Sequence, residues 1–438
     1  MTVAEQGMAL GLRALRRVAG LDVLDRVGLR GPAERVVFQA SRNGFRAAGA
    51  ANRAFVAAGS IGERASRLEA TTPSGLFDLN PTEEQQMLRE AFGEFARDRL
   101  RPAALAADTD AQAPPELLAQ ALELGVTMLG VPEALGGAVS ERSAVTTVLV
   151  GEALAHGDMG LALAALAPGA VATALAAWGD AEQQGTYLPA FVGDDVPAAA
   201  LALLEPGALR DPLAPRTTAR RQDGGYVLDG EKSLVPRAGD GELFVVSAML
   251  EGGPALFIVE SGTGGVSVAP EPAMGLRAAT TGRLHLEGVT LAERALLGGA
   301  DPEVMRECII RARLAWCALA VGTAKAVLDY VIPYVNERPA FGEPISHRQA
   351  VAFAVADVAV ELEGMRLTTY RAAARADAGS PFAREAAVAH RLCAEKGMAI
   401  GSQGVQLLGG HGYVKEHPVE RWYRDLRAAG VMEGALLA

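Results

Sequence analysis

The chain has very few lysines and few aromatic residues. Four of its 438 residues are Lys, and Phe, Trp and Tyr together make up 5%. Half of the residues are hydrophobic, so the core must consist mostly of Ala, Leu and Val. Side chains of this kind favour closely packed helices. The length corresponds to about two to four domains of ordinary size.

Cysteine and histidine are also scarce, with three and six residues. Cys308, Cys317 and Cys393 lack the C-x-x-C spacing of redox motifs and zinc sites, and no H-E-x-x-H pattern occurs. The sequence therefore predicts no metal site. We expect the cysteines to be buried free thiols in a reducing compartment, which predicts a cytoplasmic protein.

The net charge of −11 argues against nucleic-acid binding as the general role. Its distribution is uneven, because residues 1–70 contain eleven Arg and six acidic residues and carry +5, which leaves −16 on the rest. Residues 1–60 have apolar residues at helical intervals with arginines between them, a pattern of basic amphipathic helices. Such helices suit peripheral attachment to the inner face of a membrane, or they pack on their own protein. We expect no signal peptide here.

The longest uncharged run is Gly160–Trp178, which consists largely of Ala. Pro168 and Gly169 lie in the middle of this run, and both residue types disfavour a continuous helix. A membrane-spanning helix needs about 20 consecutive apolar residues. The sequence therefore predicts two buried helices here, not a membrane span.

Beyond the basic extension, residues 1–75, the residue patterns divide the chain into three parts. Residues 76–200 predict a helical domain, whose first helix we expect to be capped by Asn80. Residues 201–299 contain short strands between Gly-containing turns and predict an antiparallel β domain. Residues 300–438 return to helical patterns and predict a four-helix bundle. The predicted fold class is therefore α+β and mostly helical.

Two groups of residues in the last quarter of the chain form a recognisable pattern. Paired glycines in one of them allow a backbone to approach a ligand or a neighbouring helix closely. The upstream group contains Glu337–Arg338, Phe341–Gly342–Glu343–Pro344–Ile345, Gln349 and Ala356–Asp357. The downstream group reads Gln406-x-x-Gly409-Gly410-x-Gly412-Tyr413, then Pro418-x-Glu420-Arg421, Arg424-Asp425 and Glu433-Gly434.

These motifs resemble those of the acyl-CoA dehydrogenase family, and the resemblance covers roughly residues 76 to 438. It implies the same order of a helical, a β and a helical domain. It also implies an enzyme that removes hydrogens from the α and β carbons of an acyl-CoA thioester. In that reaction FAD accepts the hydride and passes electrons to an electron-transfer flavoprotein.

The resemblance assigns roles to individual residues. Glu433 aligns with the carboxylate that takes the α proton. Related enzymes place this base on the long helix instead, where the matching position is near Ala312, which cannot serve as a base. Arg338 aligns with the arginine that binds the flavin diphosphate, and Phe341 belongs to the same cofactor-binding block. Arg313 aligns with a substrate-side arginine near the active site, although a helix-surface salt bridge explains it equally well.

Gln406, Gly409 and Gly410 align with the residues that hold the adenine-nucleotide side of FAD. In the family these residues come from the neighbouring subunit. The resemblance therefore also implies an oligomer, formed either by identical chains or with another chain of the same family.

The departures from the family pattern lie where it contacts the flavin ring and phosphates. Hydroxyl groups and an indole are replaced, and each unpaired flavin atom in a buried site would cost roughly 1–3 kcal/mol. Arg210 and Arg237 are candidates for substitute contacts. Threonine is replaced by Leu204, Pro236 and Ala435, tryptophan by Leu234, and serine by Arg210.

The sequence thus supports two hypotheses about function, one for an enzyme and one for a non-catalytic protein. The first is an FAD-dependent acyl-CoA dehydrogenase with Glu433 as base. The second is a non-catalytic, flavin-poor subunit or scaffold that completes a partner's FAD site, in which this chain alone binds FAD weakly or not at all. An oxidase or monooxygenase of the same fold is a third alternative. The sequence does not determine the acyl chain length.

Overall fold

The structure is a computed structural model that describes residues 80–138, 142–193, 195–207 and 210–438. The basic amphipathic extension, residues 1–75, and its predicted membrane contact through residues 1–60 lie outside the described residues. The described part contains helices, then a β-sheet, then helices again. The predicted α+β class and the order of its three parts are therefore confirmed.

The N-terminal part contains six helices among the described residues, with a π-helical turn, Ala96–Leu100, between the first two. They are α1 Glu83–Phe95, α2 Arg101–Asp110, α3 Pro115–Glu123, α4 Ala144–Gly157, α5 Met159–Trp178 and α6 Ala181–Val192.

Thr82, not Asn80, caps the first helix. The Thr82 hydroxyl accepts a hydrogen bond from the Gln85 amide at 3.2 Å, and the Gln85 side chain accepts one from the Thr82 amide at 3.1 Å. This reciprocal arrangement is a capping box, which satisfies two backbone donors at once. The prediction of Asn80 as the cap was wrong. The two hydrogen bonds between Thr82 and Gln85, which lie three positions apart, make Thr82 the cap, although Asn80–Pro81 is a common sequence at a helix start.

Helix α5 corrects a second prediction, because it runs unbroken through Pro168. A proline inside a helix removes one hydrogen bond and costs about 3 kcal/mol. Burial offsets this cost, since nearly all of the helix is inside the protein. Gly169 also brings the helix against the preceding loop, where a Cβ atom would lie 3.1 Å from the Val126 carbonyl oxygen.

The middle part is an eight-stranded sheet with the order β6-β7-β3-β2-β4-β5-β8, and β1 lies beside β4. Most neighbours are antiparallel, as predicted, but β1–β4 and β2–β4 are parallel. The β2–β3 hairpin lies between β1 and β4 and gives the connection the length that a parallel pair needs. The strands are β1 Ala199–Ala202, β2 Thr218–Gln222, β3 Gly225–Val235, β4 Leu243–Leu250, β5 Gly253–Glu260, β6 Val266–Pro270, β7 Gly282–Ala292 and β8 Leu296–Leu297.

The C-terminal part contains the long helix α7, which packs against α4, α8 and α9. A two-residue hairpin, β9 Pro339–Ala340 and β10 Glu343–Pro344, connects α7 to α8. The three cysteines are free and buried, as predicted. Helices α5 and α7 are long and apolar enough to cross a membrane, but most residues of both are buried inside the protein. The helices are α7 Pro302–Glu337, α8 Gln349–Asp377, α9 Ala383–Leu408 and α10 Val419–Leu426.

Candidate active site

Glu433 lies in the segment that follows α10, and its carboxylate faces Arg313 on α7. The Arg313 Nε donates to both carboxylate oxygens at 3.0 Å, and Nη2 donates to Oε1. The Glu433 side chain is 15% exposed and that of Arg313 is 31% exposed. The structure therefore brings together two residues that the sequence proposed separately.

Gly434 fixes the backbone beside this carboxylate. Its carbonyl oxygen accepts a hydrogen bond from the Trp316 indole at 2.8 Å, so α7 holds the segment a second time. Its φ is +73°, and a Cβ atom there would lie 2.7 Å from Cγ of Leu203. Only glycine fits this combination of backbone conformation and close approach. The carboxylate is thus held between α7 and the loop that follows β1.

Helix α10 carries the anchors that place this segment relative to the rest of the protein. Arg421 donates to Asp158, between α4 and α5, at 2.9 Å, and both side chains are buried. Arg424 makes two hydrogen bonds to Asp108 on α2, at 2.8 and 2.9 Å. Asp425 accepts from the Leu276 amide of the β domain at 2.6 Å. One short helix is therefore tied to both other parts of the chain.

His390 on α9 is a neighbour of the carboxylate that the sequence did not reveal. Its Nε2 is buried and has no hydrogen-bond partner among the residues that the structure describes. Burial lowers the pKa of the imidazole, the charge of Glu433 opposes this shift, and Arg313 adds to it. A lone histidine in a helical pattern carries no motif, so only the fold identifies it as part of this site.

The five residues predicted to bind the cofactor all line one cavity of about 890 Å³. The end of α7 supplies Arg338, and the end of α9 supplies Gln406, Gly409 and Gly410. Phe341 stands at the tip of the β9–β10 hairpin. Neither Glu433 nor Arg313 lines this cavity. The structure therefore separates the predicted residues into two groups.

The groups that line this cavity fit a nucleotide with a diphosphate. A guanidinium forms paired hydrogen bonds with phosphate oxygens, and an amide both donates and accepts. Gly409 has φ +58° and ψ −130°, a backbone conformation that suits glycine. A Cβ atom at Gly409 or Gly410 would meet nothing within 4 Å, so open space lies beside this backbone.

The hairpin tip is strained and fully exposed. Phe341 and Gly342 have φ values of +55° and +86°, the combination of a type I′ turn. A bulky residue with positive φ is disfavoured, and Phe341 is also 97% exposed. Tyr413, after the paired glycines, is 87% exposed. Two large aromatic side chains of the C-terminal part are therefore almost fully exposed.

In the strand that the resemblance places against the flavin ring, Ser233 and Leu234 donate their hydrogen bonds to another residue of the β domain. The Ser233 hydroxyl donates to both carboxylate oxygens of Glu271, at 2.9 and 3.0 Å, and the Leu234 amide donates to the same carboxylate at 2.7 Å. Pro236 is buried. The two candidate substitute arginines also have partners in their own domain. Arg210 donates to the Pro206 carbonyl at 3.0 Å, and Arg237 lies 3.9 Å from Asp240.

A buried ion pair positions the loop before this strand. Lys232 Nζ donates to Glu205 at 2.8 Å, and the same carboxylate accepts from the Arg216 and Thr217 amides. Burial lowers the pKa of Lys232 to about 8. Among the described residues, no group of three or more His, Cys, Asp or Glu is placed to hold a metal ion.

Three family models match the chain in succession: the acyl-CoA dehydrogenase N-terminal domain over residues 82–195, the middle domain over 200–289 and the C-terminal domain over 302–436. The mitochondrial short-chain specific acyl-CoA dehydrogenase of Bos taurus is 33% identical over 365 residues, which cover 80% of this chain and 87% of the relative.

Two solved structures are similar over 82% of this chain and 96% of their own, each with a TM-score of 0.76. They are the butyryl-CoA dehydrogenase of Megasphaera elsdenii, at 29% identity, and an FAD complex of PigA, at 27% identity. The chain therefore belongs to the acyl-CoA dehydrogenase family.

Proposed function

We propose that this chain, a flavoenzyme of the acyl-CoA dehydrogenase class, catalyses the α,β-dehydrogenation of an acyl-CoA thioester with Glu433 as the base. The observation that carries this proposal is the paired placement of Glu433 and Arg313. A carboxylate that is largely buried, and held in a fixed orientation, is suited to remove a proton from a bound substrate.

In this reaction one carboxylate oxygen of Glu433 takes the proton from the α carbon. Arg313 holds both carboxylate oxygens and so fixes their direction before the transfer. The indole of Trp316 holds the adjacent backbone. Bound FAD supplies the acceptor for the hydride that leaves the β carbon. The side chains of Arg338 and Gln406 and the backbone of Gly409–Gly410 would hold the nucleotide portion of FAD in the site of the neighbouring chain.

The separation of the two groups of residues supports an oligomer. The nucleotide-binding cavity does not include Glu433, so a second chain would bring its own cavity to complete the first chain's site. The exposed Phe341 at the cavity edge fits such a contact. The second chain is either another copy or a related dehydrogenase chain. We propose an electron-transfer flavoprotein as the acceptor of the electrons.

Two observations favour the second candidate, a flavin-poor subunit. The donors of Ser233 and Leu234 are committed to Glu271, and Leu203 contacts Gly434. A chain of this kind would still offer Arg338 and Gln406 to the flavin site of a partner. The two candidates therefore differ in whether this chain binds its own flavin ring.

Replacing the base tests the proposal directly. We expect Glu433→Gln to lower kcat for butyryl-CoA by about 10²- to 10⁴-fold, because glutamine keeps the size of the side chain but accepts no proton. The flavin absorption and the melting temperature are expected to stay unchanged. Glu307→Gln is the matched control, since it removes a carboxylate that pairs with Arg311 on the same helix.

The visible spectrum of the purified chain separates the candidates. About one equivalent of flavin supports the enzyme. Flavin that appears only on co-expression with a second dehydrogenase-like chain supports the partner subunit. Unchanged oxidation of butyryl-CoA by Glu433→Gln would show that another group is the base.

A further inference from the structure

The four residues after Gly434 lie inside the protein. Ala435, Leu436, Leu437 and Ala438 are between 1% and 4% exposed. Leu437 belongs to a buried cluster with Leu203 and with residues of α5 and α7. Leu436 belongs to the larger cluster of the helical core. The segment that follows Glu433–Gly434 in the chain, residues 435–438, therefore fills apolar space inside the protein.

The space that it fills is a groove between α4, α5 and α7. A cavity of about 30 Å³ remains in this groove, and it leaves room for little more than one or two water molecules. Small side chains on the three helices make the groove wide, and the two leucines of the segment close it. Its lining consists of Val126, Leu129, Gly130, Thr147, Gly151, Leu166, Gly169, Ala170, Thr173, Ala315, Leu319, Leu436 and Leu437.

Two polar contacts hold the segment at its ends. The Trp316 indole donates to the Gly434 carbonyl at 2.8 Å, and Arg311 Nη1 donates to the Ala438 carbonyl at 2.9 Å. Between them the backbone is strained, because Ala435 has φ +68°, a conformation that a residue with a Cβ atom rarely adopts. The segment is therefore held by apolar burial and two hydrogen bonds against local strain.

We propose that Leu436 and Leu437 determine the length of the acyl group that this site accepts. The inference rests on the proposed function, because it takes Glu433 as the position of the α carbon. Three residues span at most about 10 Å, so an acyl chain that extends from Glu433 into the groove soon meets these leucines. The site then favours short acyl groups, and a longer chain binds only by displacing the segment.

Binding of non-oxidisable substrate analogues tests this without any requirement for catalysis. The probes are the butyl and octyl thioethers of coenzyme A, titrated by calorimetry into the full chain and into Leu437→Ala. We expect the octyl compound to bind the variant about tenfold more tightly, because a missing side chain leaves room for several methylene groups. The affinity of the butyl compound is expected to change less than twofold.

Leu436→Ala is a second variant, should Leu437→Ala fold poorly, and Leu437→Met keeps the volume and is expected to leave both affinities unchanged. Leu250→Ala removes a buried leucine of the β domain and controls for general destabilisation. Equal octyl affinity for the unchanged chain and both alanine variants would overturn the inference, and so would the absence of binding to all of them. The proposed function is judged separately, by flavin content and butyryl-CoA oxidation.

Discussion

At the scale of single residues, two buried carboxyl groups lie close together near α10. Burial and, to a smaller extent, the charge of Asp158 raise the pKa of Asp425 to about 8, against the opposing effects of the Leu276 amide, Arg424 and Arg421. Burial also raises the pKa of Asp158, although its ion pair with Arg421 opposes this. The folded protein therefore keeps a proton on Asp425 at a pH where an exposed aspartate has lost it.

This proton predicts how stability changes with pH. The unfolded chain loses the proton at about pH 4 and the folded chain at about pH 8. Between these values the folded state binds more protons, so this group makes the free energy of unfolding fall as pH rises, by up to about 1.4 kcal/mol per unit. Below pH 4 and above pH 8 it adds no slope.

Asp425→Asn should remove this dependence, because an amide keeps an acceptor for the Leu276 amide and carries no charge at any pH. We expect the melting temperature of the unchanged chain to fall more steeply between pH 5 and pH 8 than that of the variant. Thermal unfolding monitored by circular dichroism at several pH values measures both slopes. Parallel slopes would show that Asp425 is ionised in the folded protein.

The site residues show what a sequence reveals at this scale. The motif around Glu433 predicted a functional carboxylate, but Arg313 was equally consistent with a surface salt bridge. Their contact joins positions 120 residues apart, and no local pattern encodes such a distance. His390 and Glu271 carry no motif at all. Both residues gain their place only from the way α9 and the β domain fold around their neighbours.

At the scale of elements, two glycines in the helices of the C-terminal part differ in the space that is available for a side chain. Gly322 on α7 faces α4, and a Cβ atom there would lie 2.1 Å from the Glu152 carbonyl oxygen. A Cβ atom at Gly364 on α8 would lie 3.9 Å from its nearest neighbour, Cδ2 of Leu392. The same substitution is therefore obstructed at the first position and free at the second.

We expect Gly322→Ala to lower the free energy of unfolding by about 1–3 kcal/mol or more, because two helix backbones must separate. Gly364→Ala should raise it by about 0.5–1 kcal/mol, since alanine is the better helix former. Urea unfolding measures both variants. Similar changes in both would mean that α4 and α7 are less closely packed than this structure describes.

Helices were easier to predict from sequence than their interruptions. Apolar residues at helical intervals predicted helices in residues 300–438, and three long helices lie there. The same rules wrongly divided α5 at Pro168, because they count the lost hydrogen bond and not the burial that offsets it. The parallel pairing of β1 and β4 was also missed, since turn patterns describe only neighbouring strands.

At the scale of the whole molecule, the predicted site is divided between two places. The residues around Arg338 line an open cavity, whereas Glu433 is not part of its lining and is followed by Gly434, which packs closely on Leu203 after β1. Sequence motifs gave the members of both groups, but they do not state which residues act within one chain. The exposed aromatic tip at Phe341 is consistent with our proposal that a second chain completes the arrangement.

We expect Phe341→Ser to shift the protein towards the monomer and to lower its flavin content together. The side chain is 97% exposed and rests on a strained turn, which is unfavourable unless a partner covers it. Light scattering coupled to size-exclusion chromatography gives the mass, and absorption gives the flavin. Met274→Ser is the matched control, because Met274 is 52% exposed but lies in the β domain, away from the cavity. An unchanged mass with full flavin would place the contact between chains on another surface, and an unchanged mass with lost flavin would limit Phe341 to cofactor binding.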